Sequence, residues 1–181
     1  MPALAIWAEH GERSQFPPIK SKMSSHKNRL AQIHIDKSIA SALSPEAEQD
    51  RHLAIHDLLE ANNFQLLNGK AGPYHLHLSS LDQRLVFAFT NPKNEPLHAI
   101  GLSLSPFRRV MKEYFEICDS YNLAVKASNP QAIEAIDMAR RAIHNDGSTL
   151  LQERLAGKAE MDFDTARRLF TLVCSLMWRS A

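Results

Sequence analysis

The chain has 181 residues, 44% of them hydrophobic and 23% charged, which is enough apolar material for a sizeable core. A formal net charge of +1 excludes a general electrostatic affinity for nucleic acid or anionic membrane. No apolar run approaches the roughly 18 residues that span a bilayer, and the opening residues lack the basic start of a signal peptide. Cys118 and Cys174 lie far apart within helical patterns, so both read as buried, reduced thiols of a cytoplasmic protein.

Residues 1–28 mix Pro17-Pro18, Gly11, charges and serines without a period, the pattern of a flexible tail. Met23 is a plausible natural start, which would make residues 1–22 an upstream extension. Residues 29–181 are expected to form a single α+β domain. From Arg29 to Asp36, Leu30, Gln32 and His34 alternate with Ala31, Ile33 and Ile35, as in a half-buried strand. Ser44-Pro45 opens a helix as N-cap and first-turn proline, with Ala47, Arg51, Ala54, Ile55 and Leu58 on its buried side. Four strand-like segments follow: Phe64–Leu67, Tyr74–Ser79, Arg84–Thr90 and Leu97–Leu104. Their short, turn-rich connections favour an antiparallel meander.

The remaining chain reads as helical. Ser105-Pro106 repeats the cap-plus-proline signature, and Phe107, Val110, Met111, Tyr114, Ile117, Cys118, Tyr121 and Val125 form an apolar stripe. Asn129-Pro130 begins the next helix, which Asn145-Asp-Gly-Ser148 is expected to interrupt or kink. Asp162 caps a last helix, apolar almost all round from Leu169 to Trp178 and hence a buried spine. The fold class is therefore α+β: a small, mostly antiparallel sheet, one early helix and three packed C-terminal helices.

The segment from Glu134 to Arg154 concentrates acidic, basic, imidazole and hydroxyl groups at helical spacing. Asp137, Arg141 and His144 share one arc, while Ile133, Ile136, Ala139 and Ile143 occupy another, expected to face the core. Asp137 four residues before Arg141 is an ordinary helical ion pair, worth about 0.2–0.5 kcal/mol on a surface. Ser148, His144 and Asp137 lie in a row along one helix, whereas nucleophilic sites draw their groups from separate elements. A polar seam that holds the helix to its neighbours is the plainer reading.

The arginine pairs 108–109, 140–141 and 167–168 would make an anion pocket if one member of each converged. Solvated faces and interhelix ion pairs are the alternative. Glu48, His52, His56 and Glu60 form a row on the early helix, and His75 and His77 share a strand face. Neither row brings a third metal ligand by sequence. There is no glycine-rich phosphate loop. No cofactor and no metal is assigned.

Five ordered motifs carry a resemblance. They are Gly72-Pro-Tyr-His-Leu-His-Leu78, Leu104-Ser-Pro-Phe-Arg-Arg109, Ala135-Ile-Asp-Met-Ala-Arg-Arg141, His144-Asn-Asp-Gly-Ser148 and Asp162-Phe-Asp-Thr-Ala-Arg-Arg-Leu-Phe-Thr-Leu172. Together they resemble uncharacterised protein family number 0262 of the UPF series, found mostly in alphaproteobacteria. The resemblance runs from about Arg29 through the last helix and supplies no activity.

The reading that follows is a small, non-enzymatic interaction or regulatory protein of the cytoplasm. It would offer Asp137, Arg140, Arg141, His144, Asn145 and Ser148, with Arg108, to a protein partner or a small anionic ligand. The rival is an enzyme acting on a phosphorylated or carboxylate substrate. There His144 would be acid/base, Asp137 its orienter, and Arg140 and Arg141 the anion grip. Partner, substrate and oligomeric state are not legible.

Overall fold

Alternating apolar residues dictate the sheet. In the computed structural model, which describes residues 27–39 and 45–177, strands β1 (Leu30–Ile35), β3 (Tyr74–Leu81), β4 (Arg84–Thr90) and β5 (Pro96–Ser103) form one mixed sheet in the order β1-β3-β4-β5. β3, β4 and β5 are the expected antiparallel meander, while β1 lies parallel to β3. Tyr74, Leu76, Leu78, Leu85, Phe87, Phe89, Ile100 and Leu102 all point to one buried face. Burying each large apolar side chain contributes about 1.5–3 kcal/mol. A bulge between Leu30 and Gln32 breaks the alternation of β1, so Leu30 and Ile33 are both buried.

β2 (Phe64–Leu66) does not join the meander. It pairs antiparallel with β6 (Ala159–Met161), a three-residue strand that carries no periodic signal. Phe64 nonetheless reaches the main core, with its ring 5.2 Å from that of Phe89.

Helix α1 (Pro45–Glu60) buries Ala54 and Leu58 as its spacing predicts. The Ser44 cap and the residue 1–26 portion of the expected tail lie outside the described residues. Just after α1, Asn62 accepts from Leu30 N–H (2.7 Å) and donates to the Leu30 and Leu58 carbonyls (3.0 and 2.8 Å), clamping β1 to the helix end. Ser105 caps nothing. Residues Ser105–Phe107 form a 3-10 turn without a side-chain cap, and α2 (Arg108–Lys126) continues directly from it. Phe107, Met111, Tyr114 and Cys118 are buried as expected, but Val125 is exposed, because the stripe outruns the core at that end.

Asn129 caps α3 (Pro130–Leu155) by accepting from Ala132 N–H at 3.1 Å. Asp162 caps α4 (Phe163–Met177), accepting from Thr165 N–H at 2.7 Å. α4 packs against α1 on one side and α3 on the other, and nearly all of Leu169–Leu176 is buried. It is the expected spine.

Two expectations for α3 fail together. The helix runs its 26 residues without interruption, about 39 Å. Gly147 is there for contact: a Cβ on it would lie 2.2 Å from Phe170 Cζ, so glycine alone lets α3 and α4 approach this closely. The core-facing side is also not the apolar arc. Arg140, His144, Gly147, Ser148, Leu151 and Leu155 are buried, while Ile133, Ile136 and Ile143 are half-buried and Ala139 is exposed. Counting apolar residues misplaced the inner face, because it carries an arginine, a histidine and a serine.

Candidate functional site

Helical spacing puts Asp137 one turn before both Arg140 and Arg141, and its two carboxylate oxygens are divided between them. Arg140 Nη2 pairs with Oδ1, and Arg141 Nε lies 2.7 Å from Oδ2. The Arg140 guanidinium is buried and stacks over the Tyr121 ring, 4.7 Å from its centroid. Arg141 is half-exposed at the rim.

His144 is 2% exposed and sits one helical turn further in. Tyr114 of α2 and Phe170 of α4 flank it, each with its ring centroid 5.5 Å away. Arg167 Nε donates to His144 Nδ1 (3.4 Å). A guanidinium offers only donors, so Nδ1 accepts and the proton is on Nε2. His144 Nε2–H, 2.9 Å from Thr171 Oγ1, therefore donates to that hydroxyl, which donates in turn to the Arg167 carbonyl at 3.0 Å. The circuit starts and ends on Arg167. Burial, then the charges of Arg167 and Arg140, push the His144 pKa down to about 3. The ring is neutral throughout the physiological range.

Ser148 is fully buried and donates to the His144 backbone carbonyl at 2.7 Å, so its hydroxyl is aimed along the helix and away from the imidazole. Asn145 is half-buried, and its Oδ1 has no hydrogen-bond partner among the described residues. Along this row Asp137 orients Arg140 and Arg141, the His144 ring meets Arg167 and Thr171, and Ser148 donates to the helix backbone. Acid–base chemistry also needs a reachable ring, and this geometry does not give His144 one.

Of the arginine pairs, Arg140 and Arg167 converge on His144. Arg109 pairs with Glu113 at 2.8 Å on the surface, and Arg168 donates to the Ala61 carbonyl at 3.1 Å. Arg108 lines a separate groove of about 690 Å³ with Lys112, Met111, Phe115 and Leu176. No seam residue borders that groove. Glu116 and Asp119 do, and Lys112 already lies 3.7 Å from Glu116, so the cations there are offset by carboxylates. A second hollow of about 550 Å³, beside β2 and β6, is lined by Asn63, Gln65, Gln152 and Glu160. It too lies away from the seam.

Both cysteines are free and buried; burial raises the Cys118 thiol to about 11 and Cys174 likewise upward. The early helix brings His56, Asp57 and Glu60 within 4.8 Å of one another on its last turns, His56 and Glu60 exposed and Asp57 half-buried. The histidine strand gains a member that sequence spacing had not joined to it: His34 of β1 stacks on His77, with centroids 4.8 Å apart and planes at 18°. Thr171, Phe170 and Tyr114 were likewise not linked to His144, since each reaches it through tertiary packing.

The fold and seam define an α+β protein whose central helix is fastened to its neighbours by buried polar groups. The model of an uncharacterised protein family (UPF0262) matches residues 27–179, and the chain belongs to that family. A member from Hyphomonas neptunium is 55% identical over 149 residues, covering 82% of this chain and 92% of its own. One from Rhizobium johnstonii is 51% identical over 157 residues (87% and 99%), and one from Caulobacter vibrioides 51% over 152 (84% and 94%). No solved structure matches the chain. Among the described residues, no helix is long and apolar enough to cross a membrane.

Proposed function

We propose that this is a non-enzymatic interaction protein that receives a protein partner at the turn end of the α2–α3 hairpin. One observation carries the reading. From Asp119 to Ala139, Ala124 is the one buried residue, yet Leu123 and Met138 are there 66% and 69% exposed and Val125 43%. Large apolar side chains held in water on a rigid helical hairpin favour association. Tyr121, Ile133 and Ile136 of the same two helices are half-buried. Arg141, half-exposed at the edge and already braced by Asp137, offers a fixed cation to a carboxylate on the partner.

In this role the inner seam keeps the two helices in register, and only its outer edge meets the partner. The test is a photo-crosslinking residue placed at Met138 in cells, with Lys93 as the control position. A discrete adduct to another protein from Met138 and not from Lys93, lost on Leu123→Glu, is expected. Equal labelling at both positions, or none at Met138, contradicts the proposal. An adduct only to a second copy would make this end an oligomer contact instead.

A further inference from the structure

On the face of the four-stranded sheet turned away from the core, Val86, Ala88 and Thr90 of β4 are half-buried. Successive side chains of a strand alternate between faces, so His75 and His77, half-buried as well, lie on that same side. β1 runs alongside in parallel, and its register sets His34 directly opposite His77. The three imidazoles thus occupy adjacent corners of one patch on two hydrogen-bonded strands.

We propose that His34, His75 and His77 form a binding site for a divalent transition-metal ion of the zinc, nickel or copper class. Three imidazole donors with the fourth position left to solvent are a ligand set such ions accept. The His34 and His77 rings lie face to face at 4.8 Å; their in-plane lone pairs do not converge with those of His75 as the side chains stand, so binding requires the rings to rotate toward one ion. Thr90 Oγ1 lies 3.3 Å from His77 Nε2. This hydrogen bond fixes that ring from behind, as an outer partner of a metal-ligating histidine does, and leaves Nδ1 for the ion. Across the sheet from His77 come Ala88 and then Ala99, whose small side chains leave the approach open.

His75 Nδ1 is buried and has no hydrogen-bond partner among the described residues, so an ion reached by rotation of the ring would supply the partner it lacks. Burial and the neighbouring His34 and His75 lower the His77 pKa, favouring the neutral ring that ligates metal. The His56, Asp57 and Glu60 set on α1 serves as the comparison, since its members share a single helix.

The test is competition of the full-length protein with a chromophoric chelator for Zn²⁺, repeated with Ni²⁺. One ion per chain is expected at the sheet, with affinity reduced about tenfold or more, roughly 1.4 kcal/mol, by His34→Ala or His77→Ala and unchanged by His56→Ala. The Cε1–H resonances of His34, His75 and His77 should shift with zinc. His77→Gln, which preserves volume, keeps the test valid if the alanine variant is poorly folded. Binding indifferent to His34 and His77, binding lost with His56, or no binding at all would overturn the assignment.

Discussion

The molecule holds histidines in two contrasting settings, the α3–α4 seam and the outer sheet face. In the seam both ring nitrogens of His144 are taken, by Arg167 and Thr171, and two aromatic rings enclose what remains. On the sheet His34 and His77 stack on each other, and the Thr90 hydroxyl lies within hydrogen-bond distance of His77 Nε2. Side-chain chemistry is the same in both places. The difference is whether the fold has used it up. A polar cluster that looks like a site in sequence is, once every donor meets an acceptor, a fastening; groups left uncommitted at a surface remain available for ligands.

A steric way to break this contrast is at Gly147. Alanine at an ordinary helix position gains up to about 1 kcal/mol over glycine. Here a Cβ would strike Phe170, so Gly147→Ala should lose about 2–3 kcal/mol in chemical denaturation. Adding Phe170→Leu should recover part of that loss. A stabilised single variant would mean the helices are not in this contact.

His144→Ala should cost about 2–4 kcal/mol, through the cavity it leaves and the unpaired Thr171 and Arg167. The sheet variant His77→Ala should cost under about 1 kcal/mol in the same assay. Comparable losses would erase the distinction between fastening and free group.

Acid provides a graded version. The folded His144 pKa is about 3, while an unfolded histidine titrates near 6.5, so the unfolded state binds the extra proton first. The stabilising contribution is full above about pH 6.5 and is lost as pH falls toward 3, about 4 kcal/mol across the window. Wild type should therefore lose stability more steeply than His144→Ala over this range, as measured by urea midpoints at each pH. Smallest of all, Leu123→Glu at the hairpin end should move stability by no more than about 0.5 kcal/mol while removing partner crosslinking.

Much of the fold was legible because it rests on simple periods. The meander of β3, β4 and β5 follows from strict alternation, and α4 from an unbroken apolar run. The cap at Asp162 follows from a side chain that can reach a free N–H, and Asn129-Pro130 marks where α3 begins. What was not legible depends on tertiary contact. Gly147 reads locally as a helix breaker, and only the Phe170 ring explains it. The strand β6 exists because β2 needs a partner, and the parallel register of β1 decides that His34 meets His77. At the seam, residue types and helical spacing pointed to a polar cluster, but the inner side of the helix was assigned to the isoleucines. Arg140 can be buried because Asp137 and the Tyr121 ring accept its charge, a condition periodicity does not record.

The central claim is that His144 is a neutral, fully engaged part of the scaffold. Long-range ¹H–¹⁵N correlation spectra of its ring test this most directly, recorded from pH 8 down to 4.5. The structure requires the tautomer protonated on Nε2, with shifts constant across the range. A His144 midpoint near 6.5, or a proton on Nδ1, would show the ring open to solvent and contradict the account.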